Sequence, residues 1–364
     1  MNKKLVAVAV ASAVAAPMAA SADSSLTIYG GTGVAIEAID NDVTDALAVN
    51  SNHSAIGFEG STDVNSSLAA VFHWDAFVSL DAPGGAGVAG GLIGGGRDGW
   101  AGVRGSFGTV ALGFQGRPWK TLSHALDPFE GTIADYSSVL GRVGQALDED
   151  GDPVGGDGFD TGIGNSIIWF GPNINGFTWH IQYGAEERED GPNNFGLQGN
   201  YSNDQFLVGL SFDQNEGTGD AEDETAIKLV GSVNFGSAFT LTGAFESLTD
   251  AGGVDGFDRD AFWLAGTLNV GSGSIRAAVT IADDNDLVDD SSGSQFSVGY
   301  FGNLTENSHW YAIFSAISND DNSNYGFRSD PSTSNFDSSL TGVADNDSTA
   351  IAVGIKYNFA ADLI

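Results

Sequence analysis

Hydrophobic residues alternate with small or polar residues along many short segments of this chain. Within residues 176–184 the large apolar positions are Phe177, Trp179, Ile181 and Tyr183. A period of two places all four side chains on one face of a β-strand. Because the pattern recurs throughout, we predict about sixteen strands, beginning near residues 25, 52, 67, 97, 109, 163, 176, 194, 205, 224, 239, 259, 274, 294, 308 and 348.

The predicted connections alternate between short turns and long segments rich in Gly, Asp, Asn and Ser. "SFGT" (106–109), "SNDQ" (202–205) and "VGSG" (270–273) are examples of the short turns. A tilted strand needs roughly 9 to 11 residues to cross the hydrocarbon layer, and the predicted strands have about that length. The pattern therefore predicts an all-β fold, a transmembrane antiparallel β-barrel of about sixteen strands.

A water-soluble antiparallel sheet would also show alternation, because one of its faces packs on a core and the other meets water. Aromatic residues near the predicted strand ends favour the membrane barrel, since such residues form girdles at the two membrane interfaces. These aromatic residues are Tyr29, Trp74, Trp100, Trp169, Trp179, Tyr183, Trp263, Trp310, Tyr357 and Phe359.

The N-terminus has the three parts of a secretory signal peptide. Lys3 and Lys4 form a positive start, an apolar run covers residues 5–16, and small residues at 20–22 suit a cleavage site. A membrane anchor is the alternative, but the apolar run falls short of the roughly 20 residues that a spanning helix needs. We predict that residues 1–22 are removed and that residues 23–364 form a single domain.

The charge balance is strongly acidic, with 48 Asp and Glu residues against 13 Lys and Arg residues. This balance argues against nucleic-acid binding and favours cations or a salty medium as surroundings. The chain contains no cysteine, so its stability has to come from burial and backbone pairing.

Four stretches together resemble the general diffusion porins of Gram-negative outer membranes. They are "SLTIYGGTGVAIEA", "SAIGFEGSTDVNSSLAAVFHWDAF", "RDGWAGVRGSFGTVALGF" and "GNSIIWFGPNINGFTWHIQY", in the order and at the separations typical of that family. The resemblance implies a 16-stranded homotrimer in the outer membrane, in contact with lipid and lipopolysaccharide and inserted by the barrel-assembly machinery. It also implies passive passage of ions and small hydrophilic solutes through a water-filled pore.

In that family a long third loop folds into the lumen and narrows it. Here the corresponding connection lies between residues 116 and 163 and contains "ALDPFEGTIADYSSVLGRVG" (125–144). By resemblance, Glu130 is the first candidate for an acidic residue of the constriction and Asp127 the second, and we add Asp135 of the same loop to this set. Inward folding also suits the apolar residues interspersed among these acids, which are Leu126, Phe129, Ile133, Tyr136, Val139 and Leu140.

The resemblance likewise implies a set of basic residues opposite these acids. Arg97 and Arg142 match family positions, and Arg117 and Lys120 lie close enough in sequence to supplement them. Several positions at which family members carry a cation are different here, namely Gly31, Ala55, Phe114 and Gly164. We therefore predict a cation-preferring general diffusion pore, with a substrate-specific outer-membrane channel as the alternative.

Two further function classes receive less support from the residues. The five histidines are scattered, and adjacent pairs such as His53 with Ser54 point to opposite faces of a strand, so no enzymatic site is predicted. An adhesin acting through long loops would differ from a porin in lacking conductance.

No cofactor is predicted, although three acidic segments offer oxygen ligands for Ca²⁺ or Mg²⁺. They are residues 148–160, 283–290 and 319–324, and none has the spacing of an EF-hand. Solvated outer loops are the alternative, as are loops that divalent ions bridge to lipopolysaccharide.

The end of the chain departs from the family, whose members usually stop at an aromatic residue. Here Phe359 is followed by residues 360–364. Either the extension is tolerated or the assembly machinery recognises the internal Phe359.

Overall fold

A computed structural model of the chain describes residues 24–81, 93–142, 158–185, 192–219, 221–327 and 345–364. The predicted signal peptide and most of the acidic segment 148–160 lie outside these ranges. No helix within them is long and apolar enough to cross a membrane. The strands are β1 (Ser24–Asp40), β2 (Asp45–Ser51), β3 (Ala55–Asn65), β4 (Leu68–Val78), β5 (Ile93–Gly105), β6 (Gly108–Gly116), β7 (Gly162–Phe170), β8 (Phe177–Gly184), β9 (Asn194–Ser202), β10 (Phe206–Asn215), β11 (Glu224–Phe235), β12 (Phe239–Thr249), β13 (Arg259–Val270), β14 (Gly273–Ala282), β15 (Gly293–Thr305), β16 (Ser308–Asn319) and β17 (Ser348–Asp362).

From β3 onward each strand pairs antiparallel with the next along the chain, and the sheet closes on itself. The closing pair is β1 with β17, with Thr27 opposite Asp362 at one end and Asp40 opposite Thr349 at the other. Closure leaves no free sheet edge, which is the condition for strands to span a bilayer. The antiparallel transmembrane barrel predicted from the sequence is confirmed.

The seventeen strand segments make a sixteen-stranded barrel, because β2 and β3 form two halves of one strand. β2 pairs with residues 34–40 of β1, whereas β3 pairs with residues 24–31 of the same strand. Residues 52–54 lie between the two halves. The predicted number of strands is therefore confirmed, and the interruption at 52–54 is a feature that the periodicity did not predict.

The interruption depends on a close approach between backbones. The N–H of Asn52 donates to the carbonyl of Gly33 at 2.9 Å, and the N–H of Gly33 donates to the Ser54 hydroxyl at 2.9 Å. A Cβ on Gly33 would lie 2.2 Å from the Asn52 carbonyl oxygen, so a side chain cannot be accommodated there. His53 takes a left-handed φ of 52° and projects from the wall at this point.

The outer face of the barrel is apolar, as the alternation predicts. Large side chains such as Leu210, Leu264 and Ile351 are about half exposed, whereas their neighbours Ser211, Ala265 and Ala352 are buried. Such an apolar band is what a barrel presents to lipid.

Three aromatic residues that we predicted for the interfacial girdles point inward instead. The hydroxyl of Tyr29 lies 3.1 Å from Nε2 of His73, Trp100 Nε1 donates to Gln115 at 2.8 Å, and Trp263 is buried. Their parity along β1, β5 and β13 places them on the inner face, so nearness to a strand end was an insufficient criterion. Trp74, Trp169, Tyr183, Trp310 and Tyr357 are exposed on the outer face.

The residues after Phe359 continue the last strand. β17 extends to Asp362, and the Leu363 N–H donates to the Leu26 carbonyl at 2.7 Å. The Thr27 hydroxyl donates to the Asp362 carboxylate at 2.8 Å. The extension is thus part of the seam that closes the barrel.

Candidate functional site: the pore constriction

The connection between β6 and β7 begins with a short helix that is fixed to the barrel wall. Helix α1 spans Pro118–His124, and Pro118 at its start suits the first turn, where the backbone N–H groups lack partners within the helix. The Trp119 N–H donates instead to the buried Asp213 carboxylate of β10 at 3.0 Å. A side chain of β10 therefore binds the start of this helix.

Beyond α1, the described part of the loop packs on the inner face of the strands. The Tyr136 ring lies 5.0 Å from that of Trp263 on β13, and the Phe129 ring lies 5.9 Å from that of Phe301 on β15. Ile133, Val139 and Leu140 belong to the same buried cluster, with Leu126 packed against it. The six apolar loop residues singled out in the sequence thus hold the loop against the wall.

Polar contacts add to this attachment. Lys228 of β11 donates to the Ser123 hydroxyl at 3.0 Å, and its Nζ lies 2.9 Å from the centroid of the Trp119 ring. Arg276 of β14 donates to the Pro128 carbonyl, and its guanidinium lies 3.6 Å over the Phe301 ring.

The end of the described loop is held by an ion pair in the wall. The Gly141 N–H donates to Glu246 at 3.0 Å, and the same carboxylate accepts from Arg259 at 2.7 Å. These three wall cations, Lys228, Arg259 and Arg276, lie at inward positions of β11, β13 and β14. Their parity was readable from the sequence, but the loop residues that meet them were not.

Asp127 and Asp135 serve the loop backbone. Asp127 accepts the N–H groups of Phe129 at 2.9 Å and Tyr136 at 3.2 Å, and Asp135 accepts those of Gly131 at 3.0 Å and Ser137 at 2.9 Å. Both carboxyl groups are buried. Their hydrogen bonds tie successive turns of the loop together.

The two carboxyl groups differ in their ionisation. Burial raises the pKa of Asp127 well above its ordinary value, and the nearby Asp135 raises it further. Burial acts in the same direction on Asp135, but His124 and the hydrogen bonds from Ser137 outweigh it, so the pKa of Asp135 is lowered. The pKa values of these two neighbouring carboxyl groups are therefore shifted in opposite directions.

Glu130 is the predicted acid that faces open space. Its side chain is 35% exposed, and its Oε1 lies 3.5 Å from Nε2 of His53 at the interruption between β2 and β3. Gly131 makes this approach feasible, because a Cβ at that position would lie 2.2 Å from the Cβ of His53. Gly131 also has a φ of 65°, which glycine adopts without strain.

The predicted basic residues divide between the cavity and its surroundings. Arg97 lies over the Phe77 ring at 5.1 Å, and Lys120 lies 3.5 Å from the Asp160 carboxylate. Arg117 is buried beside Asn194, and burial lowers the pKa of its guanidinium. Arg142 is partly buried at the end of the described segment.

A cavity of about 530 Å³ separates the loop from strands β4 to β7 and from His53 at the interruption before β3. Glu130, Asp135, Arg97 and Lys120 line it together, whereas Asp127, Arg117 and Arg142 are not among its lining residues. The lining also contains Asp98, Asp160, His53 and His124, which the sequence analysis did not select. The lining of this cavity therefore contains four carboxylates and two cations.

A closed barrel with an apolar outer face, narrowed inside by its third long connection, is the architecture of outer-membrane channel proteins. The family comparison agrees with this class. Residues 7–322 match the family model described as Gram-negative porin, and the chain belongs to that family. Family and fold together indicate an outer-membrane diffusion channel.

Solved structures of porins share the fold. An anion-selective porin from Comamonas acidovorans is 22% identical and superposes with a TM-score of 0.77, covering 93% of this chain and 100% of that one. The trimer form of OmpT from Vibrio cholerae is 18% identical with a TM-score of 0.62, covering 92% and 99% of the two chains. OmpF from Salmonella typhi in complex with daunomycin is 15% identical with a TM-score of 0.60, covering 92% and 97%. No curated protein matches the chain significantly.

Proposed function

We propose that the protein is a general diffusion porin that prefers cations over anions. The observation that supports this proposal is the lining of the cavity, where four carboxylates stand against two cations. A passage lined by one sign of charge concentrates ions of the opposite sign. Lys228, Arg259 and Arg276 add positive charge to the wall, and each is engaged by the loop or by a buried partner, as are Asp135 and Asp160 among the four carboxylates.

The anion selectivity named for the Comamonas porin is a property of that protein, and at 22% identity the likeness extends to the fold. Ion selectivity depends on the few side chains that line the passage, and these can differ between chains of one fold. The lining residues of this chain are therefore the better guide to its preference.

A planar-bilayer measurement tests the proposal. In a KCl gradient, the reversal potential should have the sign that corresponds to preferential K⁺ passage. The preference should weaken as the salt concentration rises, because the screening length falls from about 10 Å at 0.1 M to about 3 Å at 1 M. A reversal potential of the opposite sign would refute the cation preference without affecting the assignment as a channel.

A substrate-specific channel is the second candidate, and solute flux separates it from a general pore. Liposomes that contain the protein should admit small sugars at rates that fall smoothly with solute size. Saturable uptake of one solute, competed by its analogues, would favour the specific channel. Liposomes that admit neither ions nor sugars would favour an adhesin.

We also propose that the protein works as a homotrimer in contact with lipid and lipopolysaccharide after insertion by the barrel-assembly machinery. The apolar outer face supports a location within lipid, and the trimer form of the Vibrio OmpT supports the stoichiometry by analogy. Mass measurement of the detergent-extracted protein should give three chains per particle. N-terminal sequencing of that material should begin at Asp23 if residues 1–22 are removed.

A further inference from the structure

His73, Asp75 and Asp98 form a compact group on the inner wall, outside the loop contacts described above. One potential ligand atom from each residue lies within 4.8 Å of those from the other two. Among the residues that the structure describes, this is the group of three that meets the spacing for a metal ion. Asp98 also lines the cavity, so the group lies beside the passage.

Strand geometry brings these three residues together. His73 and Asp75 are two positions apart on β4 and therefore point to the same face. Asp98 lies directly opposite Asp75 in the pairing of β4 with β5. Ligands carried by two paired strands of a closed barrel keep their relative positions better than ligands on a mobile loop.

Backbone donors orient the two carboxylates. The Asp98 N–H donates to Oδ1 of Asp75 at 2.9 Å, and the Gly116 N–H donates to Oδ1 of Asp98 at 2.7 Å. Each contact engages one of the two oxygens of a carboxylate. The carboxylates are thus held in place while retaining capacity to bind a cation.

The imidazole of His73 is also held from outside the group. Trp100 stacks on it at a centroid distance of 5.4 Å, and the Tyr29 hydroxyl lies 3.1 Å from Nε2 and 3.4 Å from Nδ1. Tyr29 reaches across β3 because Gly57 has no side chain, and a Cβ there would lie 2.3 Å from the Tyr29 ring. A polar partner that fixes the orientation of the imidazole is a common feature around a metal-binding histidine.

The local charge favours a cation. Oε2 of Glu59 lies 3.9 Å from Nδ1 of His73, so three carboxylates surround the imidazole. Arg97 is the neighbouring cation, but its Nε is 4.0 Å from Oδ2 of Asp75, which is too long for a hydrogen bond. One guanidinium at that distance leaves an excess of negative charge at the group.

We propose that His73, Asp75 and Asp98 bind a first-row transition-metal dication on the wall of the pore, with Glu59 within reach as a further ligand. A mixed set of imidazole and carboxylate donors suits such ions better than Ca²⁺ or Mg²⁺, which prefer oxygen ligands alone. Donors around a tetrahedral ion with bonds of about 2.1 Å lie roughly 3.4 Å apart. Side-chain rotations that move the ligand atoms by about 1 Å would therefore complete the site.

Isothermal titration of the chelator-treated protein with Zn²⁺ tests the site, with millimolar Ca²⁺ present to occupy the acidic outer loops. One Zn²⁺ should bind per chain, and its affinity should be the same with and without Ca²⁺. His73→Asn and Asp98→Asn should each weaken the binding at least tenfold, because loss of even an outer partner of a metal ligand costs about 10- to 100-fold. Tyr29→Phe should weaken it about tenfold through loss of imidazole orientation.

His53→Asn is the matched control, because His53 also lies near a carboxylate on the cavity wall, that of Glu130, but belongs to no such group of three among the described residues. This variant should bind Zn²⁺ as the wild type does. Equal weakening in His53→Asn, or unchanged binding in His73→Asn, would overturn the proposal.

X-ray absorption of the Zn²⁺-loaded wild type keeps the proposal testable if a strand variant fails to fold. The spectrum should show one imidazole nitrogen together with carboxylate oxygens around the ion. A shell made of oxygens alone would overturn the site. Because calorimetry and absorption do not depend on conduction, neither result depends on the ion preference of the pore.

Discussion

At the scale of single residues, the acidic residues of the third loop have two different roles. Asp127 and Asp135 accept backbone N–H groups of their own loop, whereas Glu130 extends toward His53 and open space. We predicted one role for all three acids. Their positions indicate that Glu130 should influence permeating ions most directly, while the other two support the shape of the loop.

Replacing Glu130 by glutamine should reduce the cation preference. A unit charge about 8 Å from a passing ion in water contributes about 0.5 kcal/mol, and screening by salt lowers this further. We expect the ratio of K⁺ to Cl⁻ permeability to fall about twofold in reversal-potential measurements. Asp204→Asn, at an exposed carboxylate of the 202–205 turn, is the control and should leave the ratio unchanged.

The opposite pKa directions of Asp127 and Asp135 predict opposite pH trends. A carboxyl group whose pKa is raised in the folded state contributes stability at pH values below its unfolded-state pKa of about 3.9. This contribution is lost as the pH rises through the folded-state pKa. Asp127→Asn cannot ionise, so its thermal midpoint relative to the wild type should rise with pH. Asp135 contributes stability above about pH 3.9, so the relative midpoint of Asp135→Asn should fall as the pH increases from below that value.

Heat denaturation in detergent at a series of pH values measures both trends in one experiment. Two variants with parallel pH profiles would contradict the contrast between the buried carboxyl groups.

At the scale of elements, the approach of the third loop to the interruption between β2 and β3 shapes the constriction. Each side needs an unusual backbone, with His53 at a φ of 52° and Gly131 at a φ of 65°. Glycine at position 131 permits this close approach, because a Cβ there would lie 2.2 Å from the Cβ of His53. The two irregular segments therefore meet at the cavity, which His53, Glu130 and Gly131 all line.

Gly131→Ala should disturb the constriction. A left-handed alanine costs roughly 1 to 2 kcal/mol, and the added methyl would also lie 2.2 Å from His53. We expect an altered single-channel conductance and a lower thermal midpoint. Gly236→Ala is the matched control, since Gly236 has a φ of 63° with no atom within 4 Å of its added Cβ.

The control should show the cost of the backbone alone, with unchanged conductance. Equal conductance in both glycine variants would mean that the contact with His53 does not limit the passage.

At the scale of the whole molecule, the barrel depends on the seam between its first and last strands. Residues beyond Phe359 lengthen that seam, with Ala360, Ala361 and Asp362 paired to β1. The sequence alone left open whether this extension is merely tolerated. Its pairing indicates that it contributes to closure.

Deletion of residues 360–364 should lower the thermal midpoint of the assembled protein. Each backbone hydrogen bond of the seam contributes about 1 kcal/mol, and the deletion removes several. Changing Leu363 and Ile364 to serine keeps the chain length and backbone pairing, so this control should have a smaller effect. A large increase in the yield of assembled protein after the deletion would show instead that the tail hinders assembly.

Much of the fold was predictable because its signals are local. Alternation along Gly176–Gly184 sets the two faces of β8 regardless of what the strand pairs with, and the same holds for most other strands. Most predicted starts agree closely with the structure, but β5 begins at Ile93 and not near residue 97, and residues 52–54 divide one strand in two. Inward aromatics such as Trp263 were misassigned because a position near a strand end was given more weight than parity.

The candidate site was predictable only in part, because its contacts join distant parts of the chain. Sequence alone determined the number of strands, the length of the third loop and its mixture of acids with apolar residues. The tertiary structure decided that Lys228 and Arg276 meet the loop, that Glu130 faces His53, and that Asp98 lies opposite Asp75. The physical reason is that these contacts follow from strand register and barrel closure, which depend on all the pairings together and leave no local pattern in the sequence.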